Sequence, residues 1–297
     1  MSDSLLIFGE ANEAYHDNAC ASSSKLKSLN EKGALYYRKR YITKEIPKEE
    51  QTDALRLGCA IDTLVTVSVE QFDAEYVIKP EGMSFATTVG KDWKKAHCQG
   101  KGVISWDEWQ MMQRLHAAIL AHPLYPVLIH PRIKSQVTVR KPTTKYGTGL
   151  QSRPDWLSLE PCALSEGRKY SVNLKTTADW SDWFNESDPG GPQEGKPIYN
   201  YGYHRQAALD GWVLFQSPDV GETAHFLMVA EKEEPFRVGI VQMSETYLEA
   251  GWHETEFDLL RLQECIEKNE WPNGPADIVP INPPKWLTDR AMRKAAS

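Results

Sequence analysis

The sequence predicts an α/β protein, with a central mixed β-sheet flanked by helices and a mainly helical N-terminal elaboration. Three observations carry this. The first 125 residues hold helix caps and helical apolar spacing. Residues 133 to 175 switch to the two-residue alternation of strands. Beyond about residue 199, helical and strand-like segments alternate up to a long closing helix. With 297 residues, 41% of them hydrophobic, and ten tryptophans, the chain can bury a sizeable core. We read it as a single domain: residues 1–125 helical, 126–275 the core, 276–297 a tail.

Taken in order, Ser22-Ser23-Ser24 opens a helix that carries Leu26, Leu29, Leu35 and Tyr36 to about residue 41, interrupted at Gly33. Residues 54–69 read as a second helix. Ser105-Trp106-Asp107-Glu108 is a capping box, and Trp109, Met112, Leu115 and Ile119 share the face of the helix it starts. Pro123 ends that helix. Ile133, Ser135, Val137 and Val139 point to one side of a strand over 133–140. Residues 148–159 and 169–175 are further strands, joined through Glu166-Gly167-Arg168. A Gly/Pro-rich loop over 188–197 is expected to be flexible and close to the site. A helix over 199–215 and strands near 225–230 and 236–243 follow. Ser244 caps a final helix to about residue 269, and the tail from Trp271 is proline-rich and irregular.

The formal net charge of −7 gives no general attraction to nucleic acid, so any phosphate contact depends on local charge. One such run exists: Arg132, Lys134, Arg140, Lys141, Lys145 and Arg153 with no acidic residue among them. A second is Arg38-Lys39-Arg40 beside Tyr36 and Tyr37. Lys285, Arg290, Arg293 and Lys294 add basic charge near the end. Cys20, Cys59, Cys98, Cys162 and Cys265 are scattered, without CxxC, which argues against zinc knuckles and iron–sulfur ligand runs. Reduced thiols, a start without basic or long apolar character, and no stretch of ~20 apolar residues lead us to expect a cytoplasmic protein away from membranes. His253-Glu254 lacks the second histidine of HExxH, and GxSxG is missing.

Two short segments carry the chemistry. Arg153-Pro154-Asp155 and Asn173-Leu174-Lys175 match the PD-(D/E)xK signature of metal-dependent nucleases, except that an amide stands at 173 where a carboxylate is required. Side chains of 173 and 175 share one face of a strand, while residue 174 turns away and can offer its carbonyl. Asp155 and residue 173 would hold a divalent cation, Mg2+ or Mn2+, through hard oxygens, and Lys175 would orient the attacking water. Seventeen residues between Asp155 and Asn173 suffice for a hairpin. Gln206 lies about thirty residues beyond the lysine on an expected helix, with His204 and Arg205 beside it.

These segments, with Tyr15-His16, Leu57-Gly58-Cys59-Ala60-Ile61-Asp62, Gly90-Lys91, Ser152, Thr176-Thr177, Tyr203-His204-Arg205-Gln206-Ala207-Ala208, Glu270-Trp271-Pro272 and Pro284-Lys285-Trp286, resemble the RecE-type exonucleases (exonuclease VIII-like) of phages and prophages, within the RecB-like PD-(D/E)xK superfamily. The resemblance spans nearly the whole chain. It implies a restriction-endonuclease-like core and a magnesium-dependent 5′-to-3′ exonuclease on linear double-stranded DNA ends. It also implies a ring-shaped homo-oligomer and a single-strand annealing recombinase as partner. By position it makes Asp62, Asp155, Asn173 and the Leu174 carbonyl metal ligands, Lys175 catalytic, and Gln206 supporting. Arg38, Arg140, Lys141, Lys145, Arg153, His204 and Arg205 are the candidate DNA contacts. The chain departs from the family pattern in three places. Asp62 stands where the family usually has a histidine, Asp210 where it often has a tyrosine, and Asn173 where it has a carboxylate. We expect Asn173 to be an inactivating replacement of aspartate; the alternative is a catalytically silent DNA-end-binding protein of the same fold.

Overall fold

The computed structural model describes residues 4–48, 51–184, 195–274 and 278–295. It begins with β1 (Leu5–Ile7), α1 (Asn12–Asp17), α2 (Ser23–Lys32) and α3 (Ala34–Tyr37). Gly33, at φ 89°, divides α2 from α3, a conformation that glycine adopts without a Cβ penalty. A wider π-type turn at Arg38–Ile42 follows. In α4 (Asp53–Asp62) the Thr52 hydroxyl caps the first turn by accepting from Leu55 N–H. The helix expected over 54–69 is not continuous. A π-type turn at Thr63–Val67, rich in β-branched residues, follows α4, and α5 (Val69–Glu75) restarts on a Ser68 cap. β2 (Tyr76–Ile78) and β3 (Gly102–Ile104) pair in parallel around α6 (Thr88–His97). The Ser105–Glu108 capping box forms as expected and starts α7 (Trp106–Ala121), which is followed by α8 (Tyr125–Leu128).

The remaining strands are β4 (Lys134–Ser135), β5 (Thr138–Lys141), β6 (Leu150–Ser152), β7 (Trp156–Ser158), β8 (Lys169–Thr177), β9 (Thr223–Glu231) and β10 (Val238–Gln242). Five form the central mixed sheet in the order β10-β9-β8-β7-β4. β8 and β9 run parallel, joined through α9 (Lys196–Asn200) and α10 (Tyr203–Phe215), and the other pairs are antiparallel. β1, β5 and β6 form a separate antiparallel sheet. Ser244 caps α11 (Glu245–Lys268) as expected, its hydroxyl accepting from Tyr247 N–H.

Every residue of β9 is buried, the mark of a strand covered on both faces. On one face, Tyr170, Val172 and Leu174 of β8 pack with Phe226, Met228, Ile61, Phe72, Leu115 and Ile119. On the other, Leu227 and Val229 meet Ala207 and Ile198. A further core joins α2, β5, β6, α10 and α11 through Leu26, Leu29, Val139, Leu150, Leu209 and Leu259. Each such side chain contributes about 1.5–3 kcal/mol by leaving water. α10 and α11 cross closely enough that a Cβ at Gly251 would lie 2.3 Å from the His204 carbonyl oxygen.

Three further expectations are corrected. Residues 133–140 are not one strand but β4 and β5, in different sheets, parted at Gln136 with φ 50°. The helix over 199–215 divides at Gly202, φ 74°, between α9 and α10. The tail is not irregular throughout, since Lys285–Ala295 forms α12. The expected loop over 188–197 lies, up to residue 194, outside the described residues. Among the described residues no helix is long and apolar enough to cross a membrane. All five cysteines are free.

Candidate active site

The site forms where two chain segments pass from one sheet to the other. β4 lies in the central sheet and β5 in the three-stranded one, so the chain changes sheet at Gln136. β6 and β7 do the reverse across Arg153-Pro154-Asp155, where Pro154 has no N–H to continue a ladder. The two crossings are tied together by Gln136 N–H donating to the Asp155 carbonyl at 3.0 Å. β7 pairs with β8 from Ser158↔Tyr170 to Trp156↔Val172, forming the expected hairpin. Just beyond the last pair, the Asp155 carboxylate replaces the missing strand: its Oδ2 accepts from Leu174 N–H at 2.6 Å. In a strand the N–H and C=O of one residue face the same edge, so the Leu174 carbonyl opens toward Asp155 as expected.

Asn173, 2% exposed, turns its Oδ1 to the Asp155 N–H at 3.3 Å. Lys175, two residues on, shares that face. Its Nζ donates to Gln206 Oε1 at 3.2 Å and sits 4.8 Å from the centre of the Tyr203 ring. Asp62 arrives from the other side of the sheet, at the end of α4. Thr66 Oγ1 donates to its Oδ1 at 3.2 Å, and Gln136 Nε2 approaches its Oδ2 at 3.4 Å. Thus Asp62, Asp155, Asn173, Lys175 and Gln206, far apart in sequence, converge.

Two buried carboxyl groups dominate the electrostatics of this cluster. Burial, then the charge of Asp155, pushes the Asp62 carboxyl up to about 8, against the opposing pull of Thr66, Lys175 and Arg153. Burial raises the Asp155 carboxyl as well, while Lys175, the Leu174 N–H and Arg153 pull it down. Two carboxyl groups that hinder each other's ionisation gain most from a bound cation. The donors are carboxylate, amide and carbonyl oxygens, which suit Mg2+ or Mn2+ and not a soft metal. Among the described residues no three His, Cys, Asp or Glu side chains converge as a metal cluster, in keeping with an amide at 173.

The candidate DNA contacts divide. Arg153 stacks over the Tyr15 ring at 4.2 Å and acts electrostatically on both carboxylates. Lys141 is half-buried, and Lys145 is exposed but paired with Glu256 at 3.1 Å. Arg38 lies 5.8 Å from the centre of the Trp271 ring. The other three turn inward, a correction to their reading as phosphate contacts. Arg140 is 8% exposed and bonds Glu10 and Gln151. His204 is buried between the Ile198 carbonyl at 3.1 Å and Glu254 at 3.3 Å. Arg205 pairs with Asp258 and Glu254. Moving any of them to a phosphate would strand a carboxylate, in the case of Arg205 the buried Asp258.

Gln136 and Tyr203 were not expected at the site. A polar residue on the outward phase of a strand is what alternation predicts, so nothing marked Gln136. A cavity of about 350 Å³ lined by Trp212, Phe215, His225, Leu248 and Trp252 contains none of the site residues.

Comparison with known proteins gives the family and the fold. Residues 22–278 match the family described as "PDDEXK-like domain of unknown function (DUF3799)". No protein of curated function matches the sequence. The crystal structure of a "putative exonuclease" from Eubacterium rectale superposes with a TM-score of 0.58 at 17% identity, over 91% of this chain and 97% of that one. The fold is the restriction-endonuclease-like one, and the chain belongs to the PDDEXK-like DUF3799 family.

Proposed function

We propose that the chain is a divalent-metal-dependent exodeoxyribonuclease that degrades linear double-stranded DNA from its ends, 5′ to 3′, leaving 3′ single-stranded tails for recombination. The observation that carries the nuclease reading is the meeting of Asp155, Asn173 and Lys175 where β7 ends beside β8, with Gln206 holding the lysine. A cation held by Asp62, Asp155, Asn173 and the Leu174 carbonyl would bind the scissile phosphate and acidify a water. Lys175, steered by Gln206 and Tyr203, orients that water and offsets charge developing on the phosphate. Arg153 holds the incoming backbone at the rim. The neutral Asn173 takes one directly bound negative charge from the metal, so cutting is slow relative to a site with a carboxylate there. Polarity, a ring-shaped homo-oligomer and an annealing recombinase as partner rest on the RecE-type resemblance.

The test is digestion of linear and covalently closed duplex in Mg2+ or Mn2+, with 5′ and 3′ labels on separate strands. We expect loss of linear DNA only, 5′ label released first, and a drop of about 10²-fold or more in Lys175→Ala. Equal loss of closed circles would refute the exonuclease reading. End binding with no cutting in either metal would favour the alternative that Asn173 motivates, a silent DNA-end-binding protein.

A further inference from the structure

We propose that Asp210 supplies a further negative charge to the cation site beside those of Asp62 and Asp155, the charge that residue 173 lacks, and orients the Asn173 amide. The inference rests on the reading above that this site takes a divalent cation.

The register of α10 against β8 brings the two residues together. Four residues of helix advance about 6 Å and two of strand about 6.6 Å. Gln206 meets Lys175 at 3.2 Å. Stepping to Asp210 on the helix and back to Asn173 on the strand keeps the two elements level, which sets the Asn173 amide beside the Asp210 carboxylate. Asp210 is 3% exposed. Its Oδ1 accepts from Ser152 Oγ at 2.7 Å, and Ser152 directly precedes Arg153-Pro154-Asp155. Its Oδ2 is buried with no hydrogen-bond partner of normal geometry. A native protein rarely leaves a buried carboxylate oxygen so poorly satisfied. Burial pushes this carboxyl up to about 7, Ser152 and Lys175 pull it down, and Asp155 pushes it up, so a cation bound nearby favours its charged form.

The Asn173 oxygen accepts from Asp155 N–H, which leaves its amino group for Asp210. Asn173 is therefore the residue that fits beside Asp210, a neutral donor against a charged acceptor. An aspartate at 173 would set two carboxylates against each other in a buried gap. The pair holds the same total charge as a site with a carboxylate at 173 and a neutral group at 210, displaced by one side chain. Asp210 acts through Asn173 and is a positioning residue.

The test is Mn2+ binding by calorimetry to the full chain without DNA, with thermal melting in chelator. It compares wild type, Asp210→Asn and the exchange variant Asn173→Asp/Asp210→Asn. Asp210→Asn is isosteric and removes a poorly satisfied buried charge, so its melting temperature in chelator is expected to be no lower. Its Mn2+ affinity is expected to fall about tenfold or more, as for other groups that support a metal ligand. The exchange variant is expected to return to wild-type affinity or better. Unchanged Mn2+ affinity in Asp210→Asn, or an exchange variant as weak as that single variant, would overturn the inference alone. A wild-type chain that binds no Mn2+ would overturn the cation-site reading together with it.

Discussion

Gly251 offers the sharpest test of how the fold sets the site. A Cβ there would lie 2.3 Å from the His204 carbonyl oxygen, 2.6 Å from its carbon and 2.9 Å from Arg205 N. Ordinary contacts lie near 3.5 Å, so α10 and α11 must separate by about 1 Å. All three opposing atoms are backbone, so no side-chain rotation relieves the clash. Overpacking of this kind costs about 3 kcal/mol, and the helix propensity gained over glycine returns about 1 kcal/mol. Gly251→Ala is thus expected to destabilise by about 2 kcal/mol and lower the melting temperature by about 4–8 °C. Gly58 is the control. It lies within α4, and a Cβ there meets nothing within 4 Å. Gly58→Ala is expected to stabilise by about 0.5–1 kcal/mol. Calorimetry or urea titration of both variants reads the result. Shifts of the same sign, or a Gly251→Ala protein that melts with the wild type, would refute the close-crossing argument.

Two further outcomes are expected. His225, buried and bonded to Ser171, has its imidazole pKa pushed down from 6.5 to about 4, first by burial and then by Arg168. The unfolded chain takes up a proton below about pH 6.5 and the folded chain only near pH 4. Stability is therefore full above pH 6.5 and falls by about 3 kcal/mol on acidification through that window. His225→Gln should flatten this part of the pH–stability curve in urea titrations, and an unchanged curve counts against a neutral buried His225. Arg140→Ala strands Glu10, whose side chain is 12% exposed, and should cost about 3 kcal/mol. The salt dependence of DNA binding should stay as in the wild type, whereas loss of a phosphate contact would reduce its log–log slope by about 0.9.

Much of the site was legible because its chemistry is local in sequence. Asp155, Asn173 and Lys175 sit in two short segments whose strand phase places their side chains. The Ser105–Glu108 capping box and the Ser244 cap were readable for the same reason, since a cap needs only neighbours. What alternation could not show was the change of sheet. Ile133 to Val139 keeps strand phase straight through Gln136, although the backbone there turns to positive φ and parts β4 from β5. The basic run from Arg132 to Arg153 was misleading in part because charge in sequence is blind to partners. Glu10, some 130 residues from Arg140, takes up its guanidinium. Asp210 read as a departure from a family pattern. Only the helix–strand register brings it beside Asn173.

The sheet change at Gln136 and Asp155 has a mechanical consequence. Asp62 belongs to the α4 and α7 side of the central sheet, and Asn173 faces α10 on the other, with Asp155 at the seam. An ion gripped by all three would rivet the two layers through a gap in the sheet. Amides of α4 and α10, which share no core, should then gain exchange protection in step as Mn2+ is added. In such an arrangement loading the site and stiffening the scaffold are one event.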